Sequence, residues 1–87
     1  MSACAPLVFN NVDAPKFDCV SKAVAAQVGI PISGNAGTQS KSGYTVRWNY
    51  NPTQLSLTIQ CMDSPFGVPC TMINSKISNL VSACGVK

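Results

Sequence analysis

Eighty-seven residues with a net charge of +3 are enough for one domain and one modest core. A chain of this size buries only about 60–65% of its unfolded surface, so its stability has to be reinforced by staples or by association. Charged residues make up 10% of the chain, with three aspartates, no glutamate and no histidine. Ser-His-Asp, Cys-His and Cys₂His₂ arrangements therefore cannot form within one chain, and enzymatic chemistry has little to draw on.

The six basic residues (Lys16, Lys22, Lys41, Arg47, Lys76 and Lys87) are scattered, with no two adjacent. Phosphate binding asks for a clustered stripe, so nucleic acid is not an expected partner. No run approaches the ~20 apolar residues of a membrane span, and no basic-then-apolar leader is visible. Met1 is either native or caps a mature domain. In the second case an extracellular or periplasmic setting is favoured. No metal or other cofactor is expected.

In chain order, residues 1–12 read as an N-terminal arm with one apolar run, Leu7-Val8-Phe9. That run is either a short edge strand or a tether packed on the core. Asp13 then suits a helix N-cap and Pro15 suits the first turn. Phe17, Val20, Val24 and Val28 fall on one face at helical spacing, and Gly29 and Pro31 carry the stop signal, so 13–28 is predicted helical. Residues 29–43 are rich in Gly and Ser and read as a flexible loop. Lys41 follows Ser40 where a phosphate-cradling Walker loop would need Gly, so that motif fails.

"YTVRWNYNPTQLSLTIQC" has the clearest pattern in the chain. Tyr44, Val46, Trp48 and Tyr50 alternate with polar residues, as do Leu55, Leu57, Ile59 and Cys61. Both runs carry the period of two of a half-buried strand. With Asn51-Pro52-Thr53-Gln54 as a type I turn, Tyr50 is expected to meet Leu55, Trp48 Leu57, Val46 Ile59 and Tyr44 Cys61. From Pro69 to Cys84 a second helix presents Cys70, Ile73, Ile77, Leu80, Val81 and Cys84 on one stripe, and Gly85 ends it.

The expected fold is α+β, a helix–strand–strand–helix two-layer sandwich in one domain. An antiparallel hairpin carries both helices on its apolar face. A two-stranded sheet is marginal alone. Either Leu7–Phe9 supplies a third strand or the sheet continues into a second copy, and a homodimer is the expected state.

Five cysteines, without a C-x-x-C, leave one over. Cys70 and Cys84 lie fourteen residues apart on one helix, roughly 21 Å at the helical rise, and cannot bridge each other. In an oxidising compartment the expected pairing is Cys4–Cys19 plus Cys61 with Cys70 or Cys84. In a reducing one the inward cysteines are small core residues.

Two functional readings follow. The first is a non-catalytic protein-binding or assembly module. Its surface is the polar hairpin face of Thr45, Arg47, Asn49, Thr58 and Gln60, with Arg47 as the only charge. The alternative is a thiol-dependent redox protein using Cys70 and Cys61, since a thiol in a helix's first turn has its pKa lowered by the dipole.

Overall fold

The structure is a computed structural model that describes residues 4–41, 43–65 and 67–86. Residues 1–3 of the arm, Ser42 of the expected loop and Lys87 of the basic set lie outside the described residues. Within them the order is β1 (Leu7–Phe9), α1 (Ala14–Gln27), β2 (Ala36–Lys41), β3 (Tyr44–Asn51), β4 (Ser56–Asp63) and α2 (Cys70–Ala83). The fold is mixed α+β, but the expected two-strand layout is corrected to four antiparallel strands in the order β1-β4-β3-β2.

Both helices form where their end signals and stripes put them. Asp13 Oδ1 accepts the Lys16 N–H at 3.0 Å, satisfying one of the amides that a helix start leaves without a partner, with Pro15 in the first turn. At the other end Gly29 takes a φ of 79°, a left-handed conformation that glycine adopts without Cβ strain. Val20 and Val24 are buried, and Phe17 and Val28 pack beside them. In α2, Ile73, Ile77 and Val81 are buried, with Cys70, Leu80 and Cys84 flanking them, and Gly85 ends the helix at a φ of 89°.

Apart from Leu55, which was expected inward and is 38% exposed, the β3–β4 hairpin keeps its predicted faces but not its predicted register. Val46 lies opposite Cys61, Trp48 opposite Ile59 and Tyr50 opposite Leu57, a shift of two residues. A shift of one would have turned every apolar side chain outward, whereas a shift of two leaves them inward. The turn explains the difference. Leu55 adopts a φ of 55° and leaves the ladder, so four residues, 52–55, connect the Asn51–Ser56 pair. Asn51 Oδ1 braces this loop by accepting the N–H groups of Thr53 (3.0 Å) and Gln54 (3.1 Å). At the open end Thr45 faces Asp63 and Val46 faces Cys61, which makes Met62 the extra residue of a β-bulge.

The two outer strands complete the sheet. Leu7, Val8 and Phe9 pair with Ile59, Thr58 and Leu57, so the first apolar run is a short edge strand rather than a tether packed on the core. The expected 29–43 loop is corrected by β2, which pairs six consecutive residues with β3. Its inward positions, Gly37, Gln39 and Lys41, carry no apolar side chain. The cover comes instead from Trp48, whose ring spreads over Gly37 and whose Nε1–H donates to the Gly34 carbonyl at 3.2 Å. A Cβ on Gly37 would sit 2.8 Å from that ring.

One core results. It joins Val46, Trp48, Tyr50, Leu57, Ile59 and Cys61 of the sheet to the buried residues of both helices. Val12, Ile30 and Val86, from the connecting and terminal segments, are also buried in it. Phe17 stacks on Tyr50 with ring centroids 4.3 Å apart, and the Tyr50 hydroxyl donates to the Val12 carbonyl at 2.6 Å. That bond gives a buried phenol its partner and ties the arm to the sheet.

Candidate functional site

Thr45, Arg47, Asn49, Thr58 and Gln60 come together on the side of β3 and β4 opposite the core residues. The two-residue shift changes their neighbours. Arg47 lies across from Gln60 and Asn49 from Thr58, where the expected turn would have put Arg47 beside Thr58 and Thr45 beside Gln60. The face also extends onto the outer strands. Thr38 lies beside Arg47, Ala36 beside Asn49 and Ser40 beside Thr45, while Val8 lies beside Thr58 and is 60% exposed.

The five residues are not equally available. The Gln60 amide donates to the Cys4 carbonyl at 2.8 Å, and the Thr45 hydroxyl shares a 2.8 Å hydrogen bond with Ser40. The side chains of Arg47, Asn49 and Thr58 make no hydrogen bond to the described residues. Asp18 and Lys22 form an exposed i,i+4 ion pair on α1, and among the described residues no such pair engages Arg47. Shallow hollows lie on either side of Arg47, one towards Ala36, Thr38 and Met62 and the other towards Thr58 and Gln60. An uncommitted guanidinium amid amides and hydroxyls can take a carboxylate, a backbone carbonyl or a side-chain amide as partner.

Sequence reasoning missed the contribution of β2 because "AGTQSK" has no apolar alternation to mark it. The available signal was indirect. A Trp on the inward face of β3 needs a neighbour small enough to lie under its ring, and Gly37 is such a residue.

The cysteine pairing is corrected. Cys4 bonds to Cys70 and Cys19 to Cys84, and Cys61 is the unpaired cysteine among the described residues. Cys4 was expected beside Cys19 on α1. The arm runs along β4 instead, where the Cys4 N–H donates to the Cys61 carbonyl at 2.9 Å, and this brings Cys4 to the start of α2. Cys19 does face away from the sheet core, but that side of α1 meets the end of α2, where Cys84 is the cap residue. Cys70 and Cys84 take separate partners, as the helical rise requires.

Cys61 is fully buried and its thiol donates to the Asp63 carbonyl at 3.1 Å. Burial pushes the thiol pKa above its ordinary value. The Asp63 carboxylate adds to that shift, and hydrogen bonding from the Asp63 backbone to the ionised sulfur opposes it. Among the described residues no cluster of three metal-ligating side chains occurs, and no helix is long and apolar enough to cross a membrane.

Away from this face, Val28, Tyr44, Val68, Met72 and Ile73 line a cleft of about 220 Å³. Trp48 takes no part in it. No family model matches the chain, and comparison with curated proteins and with solved structures likewise finds no match.

Proposed function

We propose that the chain is a small non-catalytic protein-binding or assembly module, with the outer face of β2, β3 and β4 as its working surface. Its finer layout is two layers, both helices covering the apolar side of the sheet and the other side left bare. The observation that carries this reading is Arg47, exposed and without a bond to the described residues, set on rigid strands between Thr38 and Gln60. Asn49 and Thr58 extend the same surface with uncommitted polar groups. A flat polar face on paired strands holds its donors in place before binding, which lowers the ordering cost of docking a protein segment. Self-association as a homodimer belongs to the same reading, since among the described residues both ends of the sheet order are open strands.

The thiol-redox alternative built on Cys70 and Cys61 has less support. A buried thiol with a raised pKa stays protonated near neutral pH, and the thiolate is the nucleophile.

The test uses a partner recovered with the intact chain and identified, its affinity then measured against Arg47→Ala and Thr58→Ala. Loss of an exposed anchoring Arg is expected to weaken binding about tenfold or more, with thermal stability unchanged. Equal affinity for wild type and both variants removes the outer face as the docking surface.

A further inference from the structure

We propose that β2 is a dimerisation strand, pairing antiparallel with β2 of a second copy across a two-fold axis at Thr38. This rests on the reading of the chain as an assembly module and specifies the contact.

The direction of the β2 backbone groups follows from the ladder. The Tyr50 N–H donates to the Asn35 carbonyl, so position 35 directs its peptide groups towards β3. In an antiparallel pair this alternates along the strand. Gly37, Gln39 and Lys41 therefore bond to β3, and Ala36, Thr38 and Ser40 direct their N–H and C=O groups outward. Among the described residues no strand lies beyond β2. Natural edges are blunted by shortness, proline, a bulge or a charge along the strand. β1 has only three residues. β2 has six in regular register, with no proline, no bulge and its one charge, Lys41, at its end.

A second copy fits this edge in few ways. A two-fold axis perpendicular to the sheet preserves its faces, so each residue must meet one of the same parity. Centring the axis on Thr38 pairs Thr38 with Thr38 of the other copy and Ala36 with Ser40 of the other copy. Every outward peptide group of 36, 38 and 40 then has a partner. Threonine opposite threonine is a favourable cross-strand pair. Lys41 falls opposite Asn35, so the two copies' lysines do not meet. Gly37 falls opposite Gln39, leaving the Trp48 ring over Gly37 undisturbed. The result is one eight-stranded sheet with both bare faces on the same side.

Sedimentation velocity on the intact, oxidised chain, over roughly a hundredfold range of concentration, provides the test. The wild type is expected to dimerise. Thr38→Pro is expected to abolish the dimer, because it removes an outward N–H while the bonds of Gly37 and Gln39 to β3 remain. Circular dichroism checks that this variant is folded. Thr38→Lys and Thr38→Glu supply the second arm. Each alone is expected to dimerise about tenfold more weakly, and their mixture to recover, because only at a symmetric centre does residue 38 meet itself. A dimer that persists in Thr38→Lys, with no preference for the mixture, overturns the β2 pairing while self-association stands. A wild type that is monomeric throughout overturns both, and leaves docking through Arg47 to be judged by its own affinity measurement.

Discussion

At the scale of single residues, the inward set was legible, Leu55 excepted, because a half-buried strand shows its faces in alternate letters. Trp48, Leu57, Ile59 and Cys61 are all buried, as the period of two requires. The partners of those residues were not legible, since the choice between two registers of equal parity hung on Leu55 entering left-handed space. Nor did the sequence show that Val12, Ile30 and Val86 are core residues, because each stands alone between elements where no periodicity can mark it. Cys61 carries a pH dependence of definite sign. Its folded pKa lies above the ordinary 9.0, so the unfolded chain releases this proton first. The stability it contributes is fully present below 9.0 and is lost as pH rises towards the folded value. Urea denaturation at neutral and alkaline pH should show a steeper alkaline loss for wild type than for Cys61→Ala. Equal losses would mean that the thiol ionises as easily in the fold as outside it.

At the scale of elements, both helices were readable to within a residue or two because their signals agree. Asp13 caps, Pro15 occupies the first turn, and apolar residues recur with helical spacing. β2 was not readable, since a strand covered by its neighbour's ring needs no apolar residue of its own. Its stability should then depend on the fit beneath Trp48. Gly37→Ala places a methyl 2.8 Å from the ring, which is 2% exposed and held by its bond to the Gly34 carbonyl. Overpacking of this kind costs about 1–3 kcal/mol. Chemical denaturation should show a loss of that size, and hydrogen exchange should show β2 amides losing protection first. An unchanged midpoint would show that the ring is free to move aside. The candidate site follows the same logic. Its β3 and β4 residues were legible from their alternation, while Ala36 and Thr38, which widen the face, depend on β2 existing.

At the scale of the whole molecule, composition pointed to the need for reinforcement, and the structure supplies it as two bridges closing separations of 66 and 65 residues. In the chain-entropy account a loop of that length contributes about 4 kcal/mol, a large share of a small domain's stability. Their connectivity could not be deduced from spacing, because it depends on the arm lying along β4 and on the two helices lying together. The bridges also overlap in sequence, Cys4 to Cys70 and Cys19 to Cys84. Any single peptide bond hydrolysed between Cys4 and Cys84 is spanned by at least one of them. A protease that nicks the exposed stretch at 33–35 therefore produces no separable fragments. Limited proteolysis should give a product that runs as one species without reductant and as two with it, and separation without reductant would refute the pairing. The chain is in effect a double-ringed body that stays in one piece through any single cut between Cys4 and Cys84.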